Sequence, residues 1–271
     1  MSLGLNLSSC DAKLARARLH LDALKRETDR VLNERNPYTI HIGPIHVKSG
    51  WCSVLLTPRD FTEYGLGVIV GDLIHNLRSA LDYIVTGLVV ASGATLTNRH
   101  EFPIFTDPGD YAKKVGSATV ARRGGPLDGV THGLAEIERL QPYHRQPQAD
   151  SGPLFCVQRF SNADKHREIS AYMPMLGNVK WRLLTVGRII EQWHPTSFPP
   201  WEPDREFVLG RVRFAEPYPT TNIRTEIEMR LDIMFGVPAF GPYSLGYGVT
   251  HEIFVETCDH VGMVMDLFKA L

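Results

Sequence analysis

Apolar residues recur every three to four positions in several stretches of the chain, which places them on one face of an α-helix. The clearest stretch covers residues 61–90, where apolar side chains from Val70 to Leu88 share one wide face. A narrower face runs from Leu14 to Val31 near the start of the chain. The pattern predicts long helices at residues 11–34, 61–90, 129–140, 151–166 and 250–271, and a short one at 110–115.

Between these helices the chain is rich in β-branched and aromatic residues, and it alternates between apolar and polar positions as half-buried strands do. An early block breaks at Gly43-Pro44 and Ser49-Gly50, which predicts a hairpin. A later block follows the fourth helix. The predicted strands are 38–42, 45–47 and 51–56 in the early block, and 169–173, 181–186, 207–214, 224–235 and 243–247 in the later one. Residues 193–204 are predicted to form a long loop.

These elements predict an α+β protein, in which a helical bundle packs beside a mainly antiparallel β-sheet and a helix ends the chain. The predicted domains are residues 1–168, a bundle with an inserted β-hairpin at 38–57, and residues 169–271, an antiparallel region with the C-terminal helix. One shared sheet would satisfy the backbone hydrogen bonds of both strand blocks. A single intertwined domain is therefore the alternative organisation.

Composition is ordinary for a globular protein: 271 residues, of which 43% are hydrophobic and 22% charged, with a formal net charge of −1. Such a balance gives no overall field that attracts nucleic acid, so any contact with RNA needs a local basic patch. The four cysteines are far apart and form no CxxC pair, which predicts reduced, mostly buried thiols and no structural zinc. We expect a cytoplasmic protein without a membrane span, because the longest uncharged apolar stretch, residues 83–96, is too short.

Four polar residues lie on the otherwise apolar second helix: His75, Asn76, Arg78 and Asp82. At 100° per residue, His75, Arg78 and Asp82 fall within about 60° of one another. Asp82 follows Arg78 by four residues, the spacing at which an ion pair forms on a helix. Two interpretations stay open: a catalytic face that presents an imidazole, a guanidinium and a carboxylate, or a hydrogen-bonded contact between helices.

A second polar cluster ends the fourth helix. Arg159, Asn162 and His166 share one face, and Lys165 and Arg167 flank it. A histidine beside cations can move a proton while the cations hold a phosphate. Cations in the last turn of a helix also complement its dipole, which explains Lys165, His166 and Arg167 without any chemistry.

A third candidate is a short basic stretch in the irregular region between the second and third helices. It contains Lys113, Lys114, Arg122 and Arg123 and could hold a phosphate backbone, although most such stretches are solvated surface. No spacing of histidine, cysteine or carboxylate matches a metal motif, and no phosphate-binding glycine loop is present. We therefore expect neither a metal nor a cofactor.

The segments HNLRSALD at 75–82, LQPY at 140–143 and SNADKHR at 161–167 resemble a group of bacterial and phage-borne proteins, a likeness that implies organisation rather than an activity. More loosely, the chain resembles HEPN domains. These are helical bundles, often dimeric, and many are metal-independent ribonucleases with an arginine followed, after four to six residues, by a histidine. Arg159 and His166 fit this spacing. Ser161 stands where the common form has arginine, and Tyr83 where the second helix would need histidine.

The resemblance implies a ribonuclease in which Arg159 and Arg78 hold the scissile phosphate and His166 moves a proton. His75, on the same face of the second helix as Arg78, is a further candidate catalytic residue. Asn162 would orient the imidazole and Asp82 would hold Arg78. The expected partners are then RNA and a second copy of the chain. One alternative is a non-enzymatic binding or assembly module of the phage-defence or toxin–antitoxin type. Another is a small-molecule-binding protein, with a site between bundle and sheet lined by tryptophans: Trp51, Trp181, Trp193 and Trp201.

Overall fold

A computed structural model describes residues 5–34, 38–59, 65–145, 149–166, 169–172, 180–195, 205–219, 223–228, 233–238 and 245–271. Over these ranges the chain has the α+β fold that its hydrophobic pattern predicts. The α-helices are α1 (Ser8–Glu34), α2 (Leu66–Ala91), α3 (Pro108–Lys114), α4 (Leu134–Arg139), α5 (Pro153–His166) and α6 (His251–Lys269). The strands are β1 (Tyr38–Ile42), β2 (Trp51–Pro58), β3 (Ser170–Tyr172), β4 (Lys180–Leu184), β5 (Ile189–Trp193), β6 (Phe207–Phe214), β7 (Arg224–Glu228), β8 (Met234–Pro238) and β9 (Leu245–Val249). None of the described helices is both long and apolar enough to cross a bilayer.

The chain divides into two compact units, and each unit combines stretches that are distant in sequence. Unit 1 comprises Met1–Lys25, Gly67–Ile169 and Val249–Leu271, and unit 2 comprises Arg26–Leu66 and Ser170–Gly248. The predicted boundary after residue 168 falls beside the junction at Ile169. The hairpin at 38–57, however, belongs to unit 2, and α6 belongs to unit 1.

The apolar faces predicted for the long helices are buried in the structure. Every apolar residue predicted for the α2 face, from Val70 to Leu88, is fully buried. Along α1, Leu14, Ala17, Leu21 and Leu24 are buried as well. In unit 1 α1 packs against α6: a Cβ on Gly262 would lie 3.4 Å from Leu14 Cδ2, and Asp11 pairs with Lys269 at 2.7 Å. The narrow face of α1 therefore packs within its own chain, as its spacing allows.

In unit 1, α2 and α5 run antiparallel and approach closely. Arg78 contacts Gln158 at one end of the pair, and the backbone of Gly71 faces Asp164 further along. At the far end a Cβ on Gly67 would lie only 2.1 Å from the carbonyl oxygen of Ile169. A side chain at Gly67 would meet this backbone carbonyl just beyond α5, whereas one at Gly71 would meet only the end of the Asp164 side chain, which can move. Gly67 therefore permits a close backbone approach at this point.

Two predicted elements differ from the structure for local backbone reasons. The predicted helix at 129–140 corresponds to α4, which begins at Leu134. Gly133 precedes it with a φ of 74°, a left-handed conformation that cannot belong to a right-handed helix. Residues 45–47 form part of a turn rather than a strand, held by the N–H groups of Ser49 and Gly50, which donate to the His46 carbonyl. In both regions the side-chain pattern matches the predicted element, but the backbone adopts a different conformation.

Unit 2 contains a four-stranded antiparallel sheet in the order β1-β2-β6-β5. The pairing of β2 with β6 joins the early strands to two strands of the late block, β5 and β6, so the expected shared sheet is present only in part. The other described strands form a β3-β8-β9 sheet and a β4-β7 pair. Strand β5 was not predicted, because its run Ile189–Trp193 is largely exposed and lacks clear alternation. The predicted strand at 224–235 corresponds to β7 and the start of β8, and residues 229–232 lie outside the described residues.

The close contact of Gly67 with the Ile169 carbonyl, just beyond α5, yields a test with a matched control in the same helix. Gly67→Ala should lower the free energy of unfolding by about 1–3 kcal/mol, because the new methyl group meets a backbone carbonyl that cannot rotate away. Gly87→Ala should instead raise it by up to about 1 kcal/mol through helix propensity, since its nearest neighbour would lie at 3.5 Å. Urea unfolding of the two variants measures both, and equal effects would contradict the close approach.

Candidate functional site

Arg78 is the most enclosed charge on the predicted polar face of α2, with a side chain only 10% exposed. Its Nη2 donates to Glu101 Oε2 at 3.0 Å, its Nε to Asp82 Oδ2 at 3.3 Å and its Nη1 to Gln158 Oε1 at 3.2 Å. We call these four residues the Arg78 cluster. The guanidinium is thus balanced by two carboxylates and an amide oxygen, and every one of its nitrogens has a partner.

Asp82 forms the predicted ion pair with Arg78 and also bonds the backbone of the segment that follows α2. Its Oδ1 accepts a hydrogen bond from the backbone N–H of Phe102 at 2.8 Å. Burial raises the pKa of the Asp82 carboxyl, and Arg78 and the Phe102 N–H oppose this rise only in part. The carboxylate therefore fixes the start of the irregular segment that follows α2.

Gln141, within the LQPY segment, holds the same stretch of chain from the other side. Its side chain is almost completely buried, at 1% exposure for the residue. The amide oxygen accepts from Phe105 N at 3.0 Å, while the amide nitrogen donates to the carbonyls of Pro103 and Ile137, both at 2.9 Å. Asp82 and Gln141 together bond three backbone groups of this stretch, the N–H groups of Phe102 and Phe105 and the Pro103 carbonyl, where no helix or strand supplies partners.

The remaining residues of the predicted α2 face point elsewhere. His75 is exposed. Asn76 is buried and donates through Nδ2 to the Asp72 carbonyl at 2.8 Å, one turn back along its own helix. The predicted face is therefore divided between an exposed imidazole, a side chain that bonds its own helix and the enclosed Arg78 cluster.

On α5 the structure describes only part of the second predicted cluster. Arg159 is half-buried, and its Nε is buried without a hydrogen-bond partner among the described residues. Asn162 is exposed. The side chains of Lys165 and His166, and all of Arg167, lie outside the described residues. A joint centre of His75 and His166 accordingly stays a prediction.

The basic stretch after α2 has mostly local roles. Lys113 and Lys114 are exposed and end α3, where their charges complement the helix dipole. Lys114 also lies over the Phe105 ring, 5.6 Å from its centroid. Arg122 donates to the Lys113 carbonyl, and Arg123 is exposed. These contacts fit a solvated surface better than a phosphate-binding loop.

Unit 2 contains a pocket of about 670 Å³ on its four-stranded sheet, which we call the sheet pocket. It lies where β2, β5 and β6 meet the connection between β1 and β2. Two predicted tryptophans, Trp51 and Trp193, line it, whereas Trp201 and the side chain of Trp181 lie outside the described residues. The lining also includes His46, Leu55, Glu191 and Arg211. Trp193 is 46% exposed, so its indole is available to a ligand.

The connection that borders the sheet pocket is anchored at several points. Gly43 N donates to Ser53 O at 2.9 Å and His46 N donates to Trp51 O at 2.8 Å. Arg213 Nε donates to the Ser49 carbonyl at 3.0 Å. Gly50 has a φ of 72°, and a Cβ there would lie 2.4 Å from the Phe214 carbonyl oxygen. The border is therefore a fixed part of the sheet rather than a loose loop.

Several residues that complete these sites were not predicted from the sequence. Glu101 and Gln158 complete the Arg78 cluster, and Arg211 and Glu191 join the sheet pocket, but none belongs to a recognisable motif. Alternation along the second half of β6 is the signal that could have placed Arg211 on the open face, since Val212 and Phe214 are buried while Arg211 and Arg213 are exposed. Glu101 and Gln158 gave no such signal, because tertiary packing alone brings them to Arg78.

The four cysteines are free and buried, as their dispersed positions predict. Burial raises the pKa of the Cys156 thiol to about 12 and that of Cys10 to about 11, which keeps both protonated and unreactive. Among the described residues, no group of three histidine, cysteine or carboxylate side chains is placed to hold a metal ion.

Comparison of the chain with models of known families, with curated proteins and with solved structures finds no match. Fold and sites define an α+β protein with an enclosed ionic cluster in one unit and an aromatic-lined pocket in the other.

The raised pKa of Asp82 predicts a pH-dependent effect of Asp82→Asn. Between the ordinary aspartate pKa of about 3.9 and the higher native value, the folded chain binds more protons than the unfolded chain. The natural chain therefore loses stability as the pH rises through this window, whereas the variant does not. The difference between the two free energies of unfolding, that of Asp82→Asn minus that of the natural chain, should therefore rise as the pH rises through this window.

Urea unfolding at a series of pH values measures this difference. Asp72→Asn, which removes an exposed carboxylate from the same helix, is the matched control. A difference that falls as the pH rises would mean that attraction to Arg78 outweighs the burial of Asp82.

Proposed function

We propose that the chain is a small-molecule-binding protein whose site is the sheet pocket, and that the Arg78 cluster stabilises the helices rather than performing chemistry. The observation that carries this proposal is the sheet pocket itself. Its volume of about 670 Å³ lies within the range of roughly 300–1,000 Å³ that is common for ligand sites. Its lining combines apolar and aromatic side chains with a similar number of polar and charged ones, which can fix the orientation of a ligand.

The state of Trp193 supports a binding role for this pocket. A tryptophan that only fills a core is largely buried, but nearly half of Trp193 is accessible in the pocket that Trp51 also lines. Large indole surfaces contribute strongly to binding when a ligand covers them. The anchored border supplies a preformed shape, which reduces the entropy lost when a ligand binds.

The Arg78 cluster supports the other half of the proposal. A phosphate-binding arginine needs donors that are free to turn towards the ligand. All three nitrogens of Arg78 are already engaged, and removing them from Asp82 would leave a partly buried carboxylate without its counter-ion. This arrangement favours the structural interpretation of the HNLRSALD segment.

Screening the full chain against a library of small aromatic compounds by thermal shift tests the proposal. Compounds that raise the melting temperature should lose most of their effect in Trp193→Ala, because the variant removes one wall of the sheet pocket. Tyr83→Ala is the matched control: Tyr83 is also a partly exposed aromatic, and it lines a separate cavity of about 460 Å³ in unit 1. A library without a single stabilising compound, or compounds that depend on Tyr83 instead, would contradict the proposed site.

A second candidate function is a metal-independent ribonuclease of the HEPN type, acting through α5. One observation favours it: the buried Nε of Arg159 has no hydrogen-bond partner among the described residues, although an unpaired buried donor is costly. A phosphate oxygen would satisfy this donor. Arg159 and His166 have the arginine-to-histidine spacing of HEPN domains. In this proposal His166 moves the proton.

Incubation of the full chain with single-stranded RNA in the presence of a chelator tests the second candidate. Cleavage should occur with the natural chain and fall at least about 100-fold in His166→Ala, as expected for loss of a general acid or base. Arg139→Gln, which removes an exposed arginine at the end of α4, should cleave normally. RNA that stays intact with the natural chain across a range of pH would rule out this function.

A further inference from the structure

The charges around the sheet pocket are unevenly compensated. Glu191 lies 3.5 Å from Arg213, so its negative charge has a counter-ion on the neighbouring strand. Arg213 is held in addition by the carbonyl of Ser49. Arg211, by contrast, has no carboxylate partner among the described residues, although it lines the same pocket. The charge left without compensation in the pocket is therefore positive.

Strand register explains why Arg211 faces the pocket. Arg211 lies between Ser53 on β2 and Trp193 on β5, and directly paired residues project to the same side of an antiparallel sheet. Its guanidinium carbon lies 5.6 Å from the centroid of the Trp193 ring, within the distance of a cation–π contact. This contact restrains the guanidinium while it leaves the N–H donors for another group.

Resting on the proposed function, we infer that the ligand of the sheet pocket is a planar aromatic anion, with a carboxylate as its negative group. The carboxylate binds Arg211, and the aromatic ring lies against the indoles of Trp51 and Trp193. A guanidinium offers parallel donors that match the two oxygens of a carboxylate. The hydroxyl of Ser53 lies beside Arg211 in the register and can donate to the same group.

Ligands of other charge fit the pocket less well. A cation would have to compete with Arg213 for Glu191 and would be repelled by Arg211. A neutral aromatic compound could contact the indoles but would cover Arg211 without replacing its water, which is unfavourable for a charged group. A single uncompensated guanidinium also favours one negative group over a highly charged phosphate chain.

Three probes with the same ring distinguish these ligand classes: 2-naphthoate, 2-naphthalenemethanol and 2-naphthylmethylammonium. Binding to the full chain is measured by calorimetry at low and high salt. We expect 2-naphthoate to bind at least about tenfold more tightly than the other two, a difference that corresponds to about 1.4 kcal/mol. Its affinity should fall as the salt concentration rises, because the Arg211 contact is partly exposed.

Variants of the pocket locate the contact. Arg211→Gln should weaken 2-naphthoate at least about tenfold and leave 2-naphthalenemethanol unchanged, and Arg211→Lys should recover only part of the loss because an ammonium lacks the planar fork. Arg188→Gln is the matched control, since it removes an exposed arginine of the same unit that does not line the pocket.

The outcomes separate the ligand class from the proposed function. If the alcohol or the ammonium probe binds as tightly as 2-naphthoate and depends on Trp193, the sheet pocket is a binding site but the inferred anion is wrong. If 2-naphthoate binds equally to Arg211→Gln and to the natural chain, the role of Arg211 is wrong. If compounds from the library bind through Trp193 while 2-naphthoate does not bind, the anion inference fails and the binding function stands.

Discussion

A guanidinium that is only 10% exposed must be neutralised and hydrogen-bonded where it lies, and this requirement organises the helical unit around Arg78. Asp82 comes from the same helix, Gln158 from α5 and Glu101 from the segment that follows α2. One side chain thus connects three parts of the chain. The cost of separating them is the cost of leaving a charge buried without a partner.

The irregular segment at residues 101–105 shows how this ionic contact extends into the backbone. The segment has no helix or sheet ladder, and side chains bond three of its backbone groups: Asp82 accepts from Phe102, and Gln141 bonds Pro103 and Phe105. Phe102, whose N–H bonds to Asp82, is itself fully buried. Hydrogen bonding of the backbone and packing of the core are therefore coupled at Phe102. The HNLRSALD segment, through Asp82, and the LQPY segment, through Gln141, hold the same stretch of chain.

In unit 2 the corresponding constraint is the pairing of β2 with β6. Strands separated by about 150 residues share hydrogen bonds, and β5 extends the sheet on the far side of β6. Only this order brings Trp51, Arg211 and Trp193 to one face. The pocket is thus a product of strand order, whereas the residues that line it have no special spacing along the chain.

The helices were predictable because a periodic apolar face is a local property. The face from Val70 to Leu88 required no knowledge of its partner, and the Arg78–Asp82 pair followed from their spacing of four residues. Prediction failed at Gly133, where the backbone conformation ends the helix that the side-chain pattern favours. It also failed at β5, where most residues are exposed and no alternation of buried and exposed positions marks a strand.

The amino-acid sequence by itself therefore determined the fold class, the long helices and the burial of its cysteines, because hydrophobic periodicity is a local property of the chain. Tertiary structure alone decided that Glu101 and Gln158 neutralise Arg78 and that Arg211 shares a pocket with two tryptophans. These contacts depend on which distant segments meet, and burial changes the energy of a charge only after they have met.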